Sequence, residues 1–312
     1  MTVTVRRLLT WLAILVIVGF GIHFLADFEW AETGRAMLGT RLLFLLAAAL
    51  VGLLSPVCKA TALYVILRSL KPVRWSTTQG ATFVGTALTI ISGAVVGEAA
   101  RARVLVARDG VSWTEGITSI LYLRLIEGLG LAVFLVVGPV FFPVPEPIRV
   151  AQGVAAGVLL AAAVLVRLRW WGVVTAHAPA RLRKAAHVIG EMGSLRNLPT
   201  LALLAVANWT AQWITYDLAL RAVGLPVGHA AAFVSLIATN VVGAVQLPAG
   251  NLGVFQASMV VALAPFGVSA EHGVAAGIVL QAALTLPILA IALGLFGVAG
   301  VARLRSVGDN GQ

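Results

Sequence analysis

Apolar runs of membrane-spanning length alternate along this chain with short polar breaks that hold most of the charge. A helix crossing a bilayer needs about 20 apolar residues. Such runs lie at 8–26, 41–69, 77–96, 113–138, 147–166, 199–221, 229–246 and 270–299. Two shorter apolar pieces, 97–108 and 253–265, each follow a glycine-rich break. The first run follows Arg6 and Arg7, as a signal peptide would. It outlasts the usual apolar region of such a peptide and no small-x-small cleavage site follows, so it reads as a retained helix. The run 41–69 contains Pro56 and Lys59 and is long enough to span with tilt. The one sizeable polar stretch is 172–198. After Pro179, Leu182, Ala186, Ile189 and Met192 recur at helical spacing, with Arg181, Arg183, Lys184 and His187 on the other faces. This is either an amphipathic helix on the inner membrane surface or a plain connector.

Composition narrows the class. Of the 312 residues 60% are hydrophobic and 11% charged, against roughly 25% charged in a soluble domain; mean hydropathy is +0.99. A soluble globule cannot hide that much apolar surface, which excludes a cytosolic enzyme and a nucleic-acid-binding module. The single cysteine, Cys58, excludes intramolecular disulfides and cysteine-rich metal sites. Arginine outnumbers lysine 19 to 3 and Ala, Val and Gly abound, as in GC-rich bacterial coding. The expected location is therefore a bacterial inner membrane.

The net charge of +10 sets the orientation. With the N-terminus cytoplasmic, and with 77–108 and 229–266 dipping in and returning, 16 of the 22 basic residues face the cytoplasm and four the outside. Only Lys59 and Arg124 then lie within spans. This bias follows the positive-inside rule. It predicts an all-α polytopic membrane protein with six full spans, two re-entrant helical hairpins and both termini inside. An eight-crossing chain is the alternative, in which 97–108 or 253–265 crosses as a half-length helix. One transmembrane domain is expected over 1–312. It comprises an extra N-terminal helix (1–40), a first repeat (41–138), a connecting span with a cytoplasmic helix (139–198), a second repeat (199–299) and a cytoplasmic tail (300–312).

The repeat is legible in the residues. Gly110-Val111-Ser112, Gly116 and Leu123-Arg124-Leu125 recur at a constant offset of 157 as Gly267-Val268-Ser269, Gly273 and Leu280-Gln281-Ala282. With one gap, Gly97 aligns with Gly253, and Leu67-Arg68-Ser69-Leu70 echoes Leu220-Arg221-Ala222-Val223. Each half reads span, hairpin, span, with the hairpins opening from opposite sides: an inverted-topology repeat, an architecture common in secondary transporters. Gly93 and Gly97 are the expected break in the first hairpin, and Pro248, Gly250 and Gly253 that in the second. Each returning helix would aim its free N–H groups at the membrane centre, a place suited to an anion.

Ionisable residues inside a membrane are costly and mark cavities or partners. Glu98 and Arg101 are spaced i, i+3 on the returning helix, and Arg124 and Glu127 are spaced i, i+3 near mid-depth of the next span. Either the arginines hold a lipid phosphate by forked hydrogen bonds, with the carboxylates orienting them and keeping the empty site neutral, or the four form an ion-pair network pinning hairpin to span. Arg103 and Arg108 read as cytoplasmic anchors. In the second half Gln256 and Gln281 stand near the equivalent places and are within reach of each other across the repeat. Asp217 can pair with Arg221 at i, i+4. Gly153-x-x-x-Gly157 and Gly273-x-x-x-Gly277 read as close-packing positions. Trp209, Trp213 and Tyr216 line one face of a span, for packing or lipid contact. The five histidines look isolated, and no hydrolase, P-loop, dinucleotide or metalloprotease motif occurs. No catalytic residue, metal or cofactor is assigned.

The stretch Ser92-Gly93-Ala94-Val95-Val96-Gly97-Glu98-Ala99-Ala100-Arg101 resembles a hairpin motif, roughly P-G-x-x-G-E-x-x-R, of the flippase-like membrane family that includes the transmembrane region of lysylphosphatidylglycerol synthases and many stand-alone proteins. Serine replaces the motif's proline. Gly110-Val111-Ser112 and the Arg124 to Glu127 pair resemble its following stretch, with Leu123 in place of one acid. Pro248-Ala249-Gly250-Asn251-Leu252-Gly253-Val254-Phe255-Gln256 resembles the second motif, P-x-G-G-x-G-x-x-E, where Gln256 replaces the glutamate and Gln281 an arginine common in the family. The two losses look coordinated, like removal of both members of an ion pair. The resemblance covers roughly residues 40–300. No soluble aminoacyl-transferase segment accompanies it, so it does not extend to lipid lysylation. It implies translocation or handling of an anionic or head-group-modified lipid of phospholipid, polyprenyl-phosphate or hopanoid type. Membrane lipids are then the partners, with a lipid-modifying enzyme as a further one. Two other readings fit the residues: a non-transporting protein that presents lipid to an enzyme, and an ion-coupled carrier of a small anion. A lateral opening between hairpin and span favours lipid; a sealed pocket favours the small anion.

Overall fold

The structure, a computed structural model, describes residues 28–142, 196–243 and 253–309, with scattered positions between 146 and 161. The expectations for 8–26, for most of 147–166, for 172–195 and for 248–252, Gly250 among them, lie outside the described residues. What is described is helical throughout.

A short helix α1 (Trp30–Leu38) leads to α2 (Leu42–Gly52) and α3 (Leu54–Arg68). The expected run 41–69 holds as one apolar segment, Leu42–Arg68, whose backbone stays helical through Leu53. Pro56 explains the irregular turn there: it lacks the N–H that would bond the Gly52 carbonyl, and its ring crowds that oxygen. Next, α4 (Trp75–Ser92) turns on Gly93 into α5 (Ala94–Asp109), and the two pack closely against each other. Gly93 has φ of 91°, a conformation costly for any residue with a Cβ. The two ends of this hairpin are clasped together. The Arg74 backbone N–H and Nε each donate to Asp109 at 2.9 Å, and Thr77 Oγ1 donates to the same carboxylate at 3.1 Å. Burial pushes the Asp109 carboxyl up, but these hydrogen bonds and the Arg74 charge outweigh it and hold the group below the usual carboxylate range.

Gly110, left-handed at φ of 62°, and a capping box of Ser112 and Glu115 start α6 (Trp113–Phe141). The second half runs α7 (Leu198–Ala222), α8 (His229–Gly243), α9 (Val254–Leu263), a 3-10 turn (Ala264–Phe266) and α10 (Ala270–Asp309). Gly253 precedes α9 at φ of 82° and Gly267 precedes α10 at φ of 74°. Ser269 Oγ accepts from the His272 N–H. Gly110-Val111-Ser112 and Gly267-Val268-Ser269 therefore do one job: a left-handed glycine ends a helix and a serine caps the next. In each half a packed helix pair, α4 on α5 and α8 on α9, stands between a preceding and a following helix. α10 stays helical to Asp309 where a tail from 300 was expected; no proline follows Pro287, and Ala, Leu and Arg there favour helix.

Among the described residues, three segments, Leu42–Arg68, Trp113–Phe141 and Ala270–Leu295, are long and apolar enough to cross a membrane. α7 has 25 residues but carries Asn208, Gln212, Asp217 and Arg221. It is the central post, touching α2, α3, α6, α8 and α10. Its approach to α6 is close: a Cβ on Gly130 would lie 2.8 Å from Ala205 Cβ. α10 reaches back to the first hairpin, where Ile288 and Ala292 pack with Phe83 and Ala87. Large apolar side chains such as Leu43, Leu50, Leu203, Val261 and Leu293 remain exposed on the outside.

Candidate functional site

The chemistry gathers where the first hairpin meets α6 and α3. Gly97 brings the hairpin's arms together. It lies inside α5 and is not the expected second break; a Cβ there would overlap Thr89 Oγ1 and the Gly85 carbonyl. The return helix therefore starts at Ala94, one turn earlier than 97. That puts Glu98 and Arg101 on the α5 face that leads from α4 to α6. Gly85 gives Arg101 its room, because a Cβ at 85 would come within 2.9 Å of Arg101 Cβ.

Five charges then form one alternating chain. Arg101 Nη1 lies 3.0 Å from Glu98 Oε2, and Glu98 Oε1 meets Arg124 Nη2. Arg124 Nη1 lies 3.2 Å from Glu127 Oε2, and Glu127 Oε1 lies 3.7 Å from Lys59 Nζ. Arg124 sits eleven residues beyond Trp113, about 16 Å along α6. The structure thus brings Glu98, Arg101, Arg124 and Glu127 together as their spacing predicts and adds Lys59, which the sequence placed within a span but not in this cluster. Lys59 corrects the expected neutrality: three cations and two carboxylates leave a formal charge of +1. Arg101, expected among the cytoplasmic basic residues, is 4% exposed and belongs to the cluster. Trp209 buttresses the site by donating from Nε1 to the Glu127 carbonyl at 2.8 Å.

A cavity of about 450 Å³ opens beside this chain, between the start of α5 and the first half of α6. Its charged lining residues are Glu98 and Arg124; the rest are apolar and include Val95, Trp113, Ile117 and Leu121. Arg124, with 39% of its side chain accessible, is the most exposed member of the cluster. The rim residues Val95 and Leu121 are 85% and 61% exposed. This is a groove with an apolar, laterally open wall, not a sealed pocket.

The second half holds a neutral counterpart. Gln256 Oε1 accepts from the Gly253 N–H at 2.8 Å, and its Nε2 donates to Gln281 Oε1 at 2.7 Å. Gly277 and Gly273 let α9 and α10 approach, with Gln256 Cα and Val260 Cα about 3 Å from where a Cβ would be. Gly153 and Gly157 have no described atom within 4 Å of such a Cβ.

Residues 10–292 match the family described as the lysylphosphatidylglycerol synthase transmembrane region. The chain belongs to this family. With its helices, that makes it an integral membrane protein whose family is tied to lipid handling. No curated protein matches the chain. The first-hairpin residues that carry the resemblance, Gly93, Gly97, Glu98 and Arg101, converge with Arg124 and Glu127 at the groove, and Gln256 and Gln281 touch each other.

Other polar residues pair away from the groove. Asp217 Oδ2 lies 2.8 Å from Arg221 Nε as expected, and its Oδ1 lies 2.8 Å from His229 Nδ1. His272 Nδ1 is 3.3 Å from Glu32. These two histidines are therefore not isolated: their acidic partners lie 12 residues away or further, where no local spacing reveals them, and Ser269 also reaches His272 Nδ1 at 3.0 Å. Trp209 and Tyr216 are buried, and Trp213 donates to the His229 carbonyl at 3.2 Å.

Proposed function

We propose that this protein is a flippase-like translocator, not an enzyme, which moves an anionic or head-group-modified lipid across a bacterial inner membrane. The observation that carries this reading is the groove in which Arg124 and Glu98 stand among apolar side chains open to the side. A headgroup phosphate would meet the Arg124 guanidinium, whose planar donors suit phosphate oxygens, while an acyl chain would lie along the apolar wall and out into the bilayer. A small-anion carrier has no use for a lateral apolar opening.

In this reading both termini are cytoplasmic and the clasped end of α4 and α5 faces the cytoplasm, so the hairpin is re-entrant. The α8–α9 hairpin is its inverted-repeat partner, entering from outside. The asymmetry between an ion chain in one hairpin and an amide pair in the other supports headgroup binding in the first half and a neutral closing contact in the second. The test is the movement of fluorescent phospholipids across proteoliposomes, set beside uptake of labelled phosphate into the same vesicles. Lipid movement without phosphate uptake is expected; phosphate uptake without lipid movement contradicts the reading.

A further inference from the structure

We infer that the site selects a headgroup of net charge −1, a phosphodiester monoanion, over a phosphomonoester dianion and over a headgroup with no net charge. This rests on the lipid-translocation reading and makes it more specific.

The inference comes from the order of charges. The chain Arg101, Glu98, Arg124, Glu127, Lys59 begins and ends on a cation, and each carboxylate is shared by two cations. Both acids are therefore paired by charge, although Glu98 Oε2 is held by its ion pair with Arg101 alone and accepts no hydrogen bond, and the surplus is one positive charge. Two further observations show where it is unmet. Arg124, the middle cation, opens into the groove although it lies between two carboxylates. Its guanidinium carries five N–H groups, more than two ion pairs consume. Arg101 is 5% exposed at its side chain, and its Nε is buried without a hydrogen-bond partner.

Charge left unbalanced in so apolar a place is expensive. A monoanion brings the cluster to zero. A dianion brings it to −1, and the groove wall has no further cation to meet the second charge. A headgroup of no net charge leaves the cluster at +1. The groove's apolar length, from Ala94 to Leu121, also requires that the phosphate be attached to hydrocarbon.

The experiment follows fluorescent phosphatidylglycerol, phosphatidylcholine and phosphatidate in proteoliposomes of the intact protein. Phosphatidate is the informative probe, because a phosphomonoester passes from mono- to dianion at about pH 6. Phosphatidylglycerol should move at least about tenfold faster than phosphatidylcholine. Phosphatidate should match phosphatidylglycerol near pH 5 and fall about tenfold behind it near pH 8. Lys59→Met and Lys59→Gln, which bring the cluster to zero, should each erase the advantage of phosphatidylglycerol; the wild-type pH series decides the matter where a variant does not fold. Equal rates for all three lipids, or a preference for phosphatidate at pH 8, would overturn the charge rule and leave translocation standing. No movement of any lipid would overturn translocation and the charge rule together. Dimethyl phosphate, a soluble monoanionic diester, should not be carried; its uptake into the vesicles would overturn the requirement for a lipid.

Discussion

Gln256 donates a 2.7 Å hydrogen bond to Gln281 near the place in the second hairpin where, in the first, Glu98 meets Arg124. Oε1 of Gln256 is already committed to the Gly253 N–H at the helix start, so the side chain needs a donor on its other atom. A glutamate at 256 would accept on both oxygens and call for a cation at 281. The two amides thus make one substitution in physical terms: both must change together.

Gln256→Glu or Gln281→Arg alone should therefore lower the melting temperature in detergent, because each puts an uncompensated charge between packed helices. The double variant should recover part of the loss, with a coupling of about 0.5–3 kcal/mol in the cycle. Strictly additive losses would mean that the two sites do not act as a pair.

Gly97→Ala tests the hairpin. The new methyl would overlap Thr89 Oγ1 and the Gly85 carbonyl. Parting the arms should cost about 1–3 kcal/mol, as overpacking usually does. Gly153→Ala, with no described neighbour within 4 Å, should change stability by less than about 0.5 kcal/mol. Equal melting temperatures for Gly97→Ala and wild type would show that the arms are not held this closely.

The hairpin and the amide pair were legible in the sequence, because glycine breaks, helical spacing and a constant offset are local or periodic signals; the Arg74–Asp109 clasp, 35 positions apart, was not. Lys59 was visible only as an oddity. Its partner Glu127 is 68 positions away, and only the packing of α3 on α6 brings the two together. The formal charge of the site was misjudged for that reason alone. Gly97 was misread as a break because motif glycines look alike in sequence. Gly93 serves backbone conformation, whereas Gly97 serves close approach. The irregular turn at Leu53 follows from Pro56, which was noticed inside the run without its missing N–H being followed back to the Gly52 carbonyl.

The clasp gives a pH dependence. The Asp109 carboxyl is held below its ordinary range, so its contribution to stability is complete above the unfolded-state value and is lost as pH falls through the depressed folded-state value. The gap in melting temperature between wild type and Asp109→Asn should be full near pH 7 and close below about pH 4. A gap that stays constant to pH 3 would show that the carboxylate charge is not what clasps the hairpin.

Topology can be read by single cysteines in a Cys58→Ser background. Positions 108 and 183 should label from the cytoplasmic side and position 226 from the other. Labelling of 108 together with 226 would exclude a re-entrant first hairpin.

The central claim is that Arg124 holds lipid phosphate and does more than brace α5 against α6. The most direct measurement compares lipid movement in proteoliposomes with thermal stability in detergent for wild type, Arg124→Gln and Arg124→Lys. Gln281 shows that an amide is tolerated near the equivalent place in the second half. The account predicts that Arg124→Gln folds but moves lipid at background rate, and that Arg124→Lys recovers little, because an ammonium lacks the planar fork. Full lipid movement by Arg124→Gln at unchanged melting temperature would contradict it.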